Sequence, residues 1–88
     1  MVTRRSFLEI VHDILRMEGK KKTHIMYGTG LTYPQVMRYL EVLRDRELLA
    51  TDLDASGREV YRVTEKGVDA RNHLDVVMEY LGRGTYDD

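Results

Sequence analysis

Apolar residues in this chain return every three or four positions as far as residue 46, lose that interval between 48 and 63, and regain it from 65 onward. A helical period that yields once to a strand-like stretch and then resumes leaves few folds open to 88 residues. The first segment opens with "SFLE", an S-x-x-E capping box in which Ser6 accepts from the Glu9 N–H and Glu9 reaches back. Phe7, Ile10, Val11, Ile14 and Leu15 follow, predicting a helix over about 6–18 that Gly19 closes. "KKKTHIMYGTG" reads as a short second helix with Ile25 and Met26 inward. Gly28 or Gly30 ends it, because glycine enters the left-handed region without a Cβ clash. In "LTYPQVMRYLEVLRDRELL", Thr32 is a good N-cap and Pro34 sits in the first turn, where its missing N–H costs nothing. Val36, Tyr39, Leu40 and Leu43 form one stripe of a helix over about 33–46. Strand formers then flank Asp54-Ala55-Ser56-Gly57, predicting a hairpin with strands near 48–52 and 59–63. Thr64 caps a last helix over about 65–82, ended by Gly82 and Gly84, with 85–88 as a tail.

The Gly28-Thr29-Gly30 triplet raises the question of a phosphate cradle. Such a loop needs a strand before it, further glycines and, in the P-loop, Lys-Ser/Thr after it. Here a helix-like segment precedes, the third glycine of a G-x-G-x-x-G would fall at Tyr33, and no G-K-[ST] follows. A turn between two helices fits instead, with Leu31 in the angle between them. Without cysteine there is no disulfide, zinc ribbon or thiol chemistry, and a reducing, cytoplasmic setting is expected. Glu9, His12 and Asp13 break any leader-like apolar run, and no stretch approaches the ~20 apolar residues of a membrane helix. His12, His24 and His73 fall on three different predicted helices without a pairing motif, so no metal or other cofactor is expected. Nor does any serine or acid pair stand in a nucleophile frame; the chain reads as no enzyme, with no small-molecule substrate evident.

Net charge is −1, but it is unevenly spread. Residues 1–49 carry nine Lys/Arg against six Asp/Glu; residues 50–88 carry five against nine. Contact with phosphate is therefore expected from the N-terminal half.

The order helix, helix, helix, strand, wing, strand, helix makes an α+β chain that is mostly α. The frame of Leu31, Thr32, Val36, Tyr39, Leu40, Leu43, Leu48 and Leu49 resembles the recognition-helix segment of the winged helix-turn-helix DNA-binding superfamily. "YRVTEKG", Tyr61 to Gly67, resembles the segment by which such domains leave the second wing strand and enter the last helix. "KKKTHIMYGTGLTYPQVMRYLEVL" is similar to the second and third helices of small archaeal winged-helix transcriptional regulators, which dimerise through a C-terminal coiled-coil helix. Glu47 stands where that family usually carries glycine to end the recognition helix. The resemblance implies a winged helix-turn-helix of three helices, a two-stranded β-hairpin wing and a C-terminal helix. It also implies a DNA-binding domain over 1–64, a dimerisation helix over 65–84 packed on that same single domain, and a tail over 85–88.

On that frame, Thr32, Tyr33, Gln35, Met37 and Arg38 stand at the end of the recognition helix that approaches base edges. Glutamine can pair with adenine and arginine with guanine in bidentate fashion, each worth ~1–3 kcal/mol of discrimination. Tyr33 can reach a phosphate or a thymine methyl, and Met37 can make a similar apolar contact. Lys20, Lys21 and Lys22 are expected at the start of the second helix, facing phosphate. Arg58 rides on the wing, and Arg4 and Arg5 on an N-terminal arm; Tyr39 is expected in the core. Leu74, Val77, Met78 and Leu81, broadened by Val76 and Tyr80, give the last helix more apolar surface than its own domain needs, which implies a homodimer seam. The expected function is a dimeric regulator of transcription binding double-stranded DNA. The alternatives are a winged-helix protein–protein interaction module, which the acidic balance favours, and a non-specific architectural chromatin protein, which near-neutral charge disfavours.

Overall fold

The computed structural model describes residues 6–81. Helix α1 spans Phe7–Leu15, α2 Lys22–Thr29 and α3 Tyr33–Asp45; strands β1 Leu49–Leu53 and β2 Glu59–Val63 follow, then α4 Glu65–Leu81. Arg4, Arg5, the stop at Gly82 and Gly84, and the tail at 85–88 lie outside the described residues.

Both halves of the first capping box form: Glu9 N donates to Ser6 Oγ at 3.1 Å and Ser6 N to Glu9 Oε1 at 3.0 Å. Nine residues are fewer than the ~12–15 that an isolated helix needs in water, so packing holds α1. Ile10, Val11, Ile14 and Leu15 supply it, at about 1.5–3 kcal/mol for each fully buried side chain. They meet Ile25 of α2, Val36, Leu40 and Leu43 of α3, Leu49 of β1 and Tyr61 of β2 in a single cluster.

The helix ends at Leu15, with Arg16 as its cap, and not at Gly19. Gly19 serves a different end. In the left-handed region at φ +68°, it lets the chain turn beneath the wing. There Gly19 N donates to the Tyr61 carbonyl at 2.8 Å and Tyr61 N to the Lys20 carbonyl at 2.9 Å. Lys20 therefore belongs to an isolated antiparallel bridge with β2, and α2 begins only at the third lysine of the run, Lys22.

The wing strands pair antiparallel from Leu49 opposite Val63 to Leu53 opposite Glu59. In β1 only Leu49 is buried, so the hairpin leaves the body almost at once. At its tip the Asp54 carboxylate accepts from Arg58 N at 2.9 Å, Ser56 N at 2.9 Å and Ser56 Oγ at 2.8 Å. These bonds, the Arg58 one foremost, hold the Asp54 carboxyl below its ordinary value.

Where α3 meets α4 the backbones come close. Glu47 adopts φ +64°, so this residue makes the left-handed stop in glycine's place, and Leu48 N donates back to the Leu43 carbonyl at 2.8 Å. Thr64 Oγ donates to the Glu47 carbonyl at 2.7 Å and accepts Gly67 N at 3.0 Å, capping α4 as expected. A Cβ on Gly67 would lie 2.2 Å from the Leu48 carbonyl oxygen, which is why that position carries glycine.

Along α4 the inward face differs from the expected seam. Met78 is 6 % exposed and Leu74 packs partly buried against the core, so both are largely used within the chain. His12, on α1, is fully buried, with Nε2 2.5 Å from Asp75 Oδ1 across the α1–α4 contact.

Candidate nucleic-acid interface

The helix-turn-helix is built by local bonds. Gly28 lies inside α2, close to Met17. Thr29 is buried, its hydroxyl donating to the Ile25 carbonyl at 2.8 Å. Gly30, at φ +74°, caps the helix and donates to the Met26 carbonyl. The G-T-G triplet is thus spent on ending a helix. Leu31 packs against the core, as its place in the angle requires.

Thr32 then caps α3 through a complete capping box. Gln35 N donates to Thr32 Oγ at 3.4 Å and Thr32 N to Gln35 Oε1 at 2.9 Å. The T-x-x-Q spacing is legible in the sequence, but there Gln35 stands out as a base reader instead. With Val36, Leu40 and Leu43 turned into the core, the helical period leaves Tyr33, Pro34, Gln35, Arg38 and Glu41 exposed and Met37 half-buried. Among the described residues no ion pair engages Arg38. Beside Gln35 and Arg38 an open groove of about 290 Å³ runs past Phe7, Tyr39 and Val42. Phe7 and Tyr39 stack there with ring centroids 5.5 Å apart, so Tyr39 supports the helix.

Lysines flank this edge unequally. Lys22 is the first residue of α2, and its Nζ lies 3.4 Å from the Tyr33 hydroxyl and 5.6 Å from the ring centroid. That hydrogen bond holds the Lys22 ammonium above its ordinary value. Lys21 is the N-cap residue and makes no side-chain cap bond, so the first N–H groups of α2 are left without a side-chain cap. Lys20, exposed, is tied by its backbone to the wing. Arg44, exposed two turns after Met37 on the same flank, is a further cation that the sequence motifs do not point to. Its seven-residue spacing from Met37 is the one signal of it. Arg58 is exposed at the wing tip among Asp52, Asp54 and Glu59.

On α4, Val76 (50 %), Val77 (40 %), Tyr80 (84 %) and Leu81 (62 %) are exposed, whereas Met78 is buried. Of the four residues expected at a seam, Val77 and Leu81 are exposed, Leu74 is partly buried and Met78 is buried. Among the described residues no helix is long and apolar enough to cross a membrane, and no group of three or more His, Asp or Glu could hold a metal ion.

A family model described as winged helix-turn-helix matches residues 4–81. The chain belongs to the winged helix-turn-helix family. Its expected likeness to small archaeal members is met by Sso10a-2, a DNA-binding protein from Sulfolobus solfataricus. The two are 30 % identical with a TM-score of 0.78, over 88 % of this chain and 82 % of that one. The PcaV transcriptional regulator of Streptomyces coelicolor shares the fold at 21 % identity and a TM-score of 0.74, over 90 % of this chain and 58 % of its own. So does a variant of MepR from Staphylococcus aureus bound to an oligodeoxyribonucleotide, at 20 % identity and a TM-score of 0.70, over 83 % of this chain and 58 % of its own. This winged-helix chain thus spans a little over half the length of those two regulators. A search of curated proteins gives no match.

Proposed function

We propose that this winged helix-turn-helix protein is a dimeric, DNA-binding regulator of transcription that sets the start of α3 in the major groove. The observation that carries this reading is the division of α3. One side is sealed in the core at Val36, Leu40 and Leu43, while Tyr33, Gln35 and Arg38 stand in solvent beside the Lys21–Lys22 start of α2. A helix presenting its N-terminal polar edge next to an open helix N-terminus matches the way this motif meets a duplex, bases in front and phosphate alongside. The description of Sso10a-2 as DNA-binding supports it. Lys20, Lys21, Lys22 and Arg44 meet phosphate, Thr32, Tyr33, Gln35, Met37 and Arg38 meet bases or sugar, and Arg58 reaches the backbone from the wing. A second copy covers Val76, Val77, Tyr80 and Leu81, so that two recognition helices address two half-sites. Such a regulator acts in the cytoplasm and catalyses no reaction.

Fluorescence anisotropy on duplex DNA across a salt series tests this. Neutralising about five phosphates per subunit gives a log–log slope of about −0.9 for each. Replacing Lys20, Lys21, Lys22 and Arg38 together by alanine is expected to abolish binding and flatten that slope; undiminished binding removes this surface from the reading. The wing favours a second reading. Asp52, Asp54 and Glu59 outnumber Arg58 at its tip, and Leu53 is 65 % exposed, which suits a protein partner better than phosphate. Absence of salt-dependent duplex binding by the unmodified chain would turn the balance to a protein–protein module.

A further inference from the structure

The exposed side chains at the start of α3 offer more free donors than free acceptors. The Gln35 amide has one acceptor oxygen and one NH2 group. Its oxygen takes the Thr32 backbone N–H at 2.9 Å, and because a backbone N–H can only donate, the NH2 is the end left over. The Tyr33 hydroxyl accepts from Lys22 Nζ at 3.4 Å, leaving its own O–H to donate. Thr32 Oγ accepts from Gln35 N at 3.4 Å and likewise keeps its hydrogen for an outside partner. Arg38 and Lys22 have donors and no acceptor. The first acceptor side chain further along the exposed face is Glu41, nearly a turn beyond Arg38.

Major-groove edges differ in the same terms. Guanine shows two acceptors, N7 and O6; thymine shows O4 and a methyl; adenine mixes an acceptor with the N6 donor; cytosine shows a donor. A face richer in donors than in acceptors is best matched by guanine, whereas the amino hydrogens of adenine and cytosine find only the spare lone pairs of oxygens that already accept an internal bond. Resting on the DNA-binding reading above, we propose that the Gln35–Arg38 edge of α3 selects guanine, with thymine next, and rejects adenine. This reverses the adenine pairing open to an unrestrained glutamine. A bidentate adenine contact needs Gln35 Oε1 to accept from N6 on its second lone pair while the first still holds the Thr32 N–H, a demand that guanine does not make.

The test starts with selection of duplexes from a random pool by the full chain, followed by anisotropy titrations. Guanine is expected to dominate the contacted positions. Exchanging such a guanine for adenine weakens binding about 5- to 150-fold. Substituting 7-deazaguanine, which lacks the N7 acceptor, also weakens it, whereas 7-deazaadenine has no comparable effect. Gln35→Glu keeps a capping box, since glutamate serves at the same position, but removes the NH2 donor. Its added negative charge weakens every duplex alike, so the informative readout is the ratio of guanine-site to adenine-site affinity. That ratio falls several-fold in Gln35→Glu and in Arg38→Ala, with the thermal midpoint of Gln35→Glu held. Enrichment of adenine at the contacted positions, loss of binding on 7-deazaadenine, or an unchanged ratio in both variants overturns the proposal. Salt-dependent binding with no base preference overturns it alone; no duplex binding at any salt overturns the DNA-binding reading as well.

Discussion

Replacing Gly67 by alanine should destabilise this protein, although helix propensity taken alone forecasts the opposite. In an exposed helix interior, alanine improves on glycine by about 1 kcal/mol. At residue 67 the new Cβ would sit 2.2 Å from the Leu48 carbonyl oxygen and 2.8 Å from Val63 Cγ1. Backbone must move, because a carbonyl oxygen has no rotamer to change. Overpacking of this kind costs about 1–3 kcal/mol. The Leu48 carbonyl also accepts Thr64 N at 3.2 Å, and losing that bond adds about 1 kcal/mol. Set against the propensity gain, the net loss is about 2 kcal/mol, or a fall in Tm of about 8–16 °C for a domain this size. Gly28→Ala is the internal control. There the obstruction is Met17 Cε at 2.7 Å, the mobile end of a flexible side chain, so the propensity gain should survive and Tm should hold or rise. Thermal melts followed by circular dichroism at a fixed protein concentration measure both. A Gly67→Ala protein as stable as the wild type would mean that α4 does not lie so tightly on the end of α3.

Glu47→Gly should stabilise the protein by about 0.5–1 kcal/mol, raising Tm by about 4 °C, because it relieves a side chain held at φ +64°; a lower Tm would point to a role for the glutamate itself. The His12 hydrogen bond holds the Asp75 carboxyl below its ordinary value of 3.8. A carboxyl depressed on folding adds stability above its unfolded value and loses it as pH falls through the folded one, so Asp75→Asn should flatten the acid limb of stability below about pH 4. Urea titrations at several pH values decide this, with Asp54, depressed for its own reasons, supplying the residual slope. On α4, Val77→Glu with Leu81→Glu should give a folded monomer by analytical ultracentrifugation, whereas Met78→Glu should fail to fold. A Val77/Leu81 double variant that still sediments as a dimer would move the seam elsewhere.

What could be read along the chain is what the chain does within a few residues. The Ser6 box, the Thr32 and Thr64 caps, the Gly30 stop, the Asp54–Gly57 turn and the apolar stripe of α3 each involve partners at most four positions apart, and all of them form. Gln35 shows how one residue can carry two legible signals. Its T-x-x-Q spacing specified a cap, while its exposure suggested a reader of adenine.

The remainder required contacts that sequence spacing does not encode. His12 finds Asp75 63 positions away, and only the antiparallel seating of α4 on α1 makes the pair. Gly19 and Lys20 line up along Tyr61 because β2 returns beneath them. Met78 faces inward because the docking of α4, fixed at one end by Gly67 on the Leu48 carbonyl, selects which of several apolar residues meets the core. Periodicity thus determined which segments are helices and strands, since that depends on neighbours one turn away. Which face of α4 is left for a partner, and which hydrogen-bonding ends of α3 remain for a ligand, were decided by three-dimensional packing, because burial and donor pairing are properties of the assembled chain.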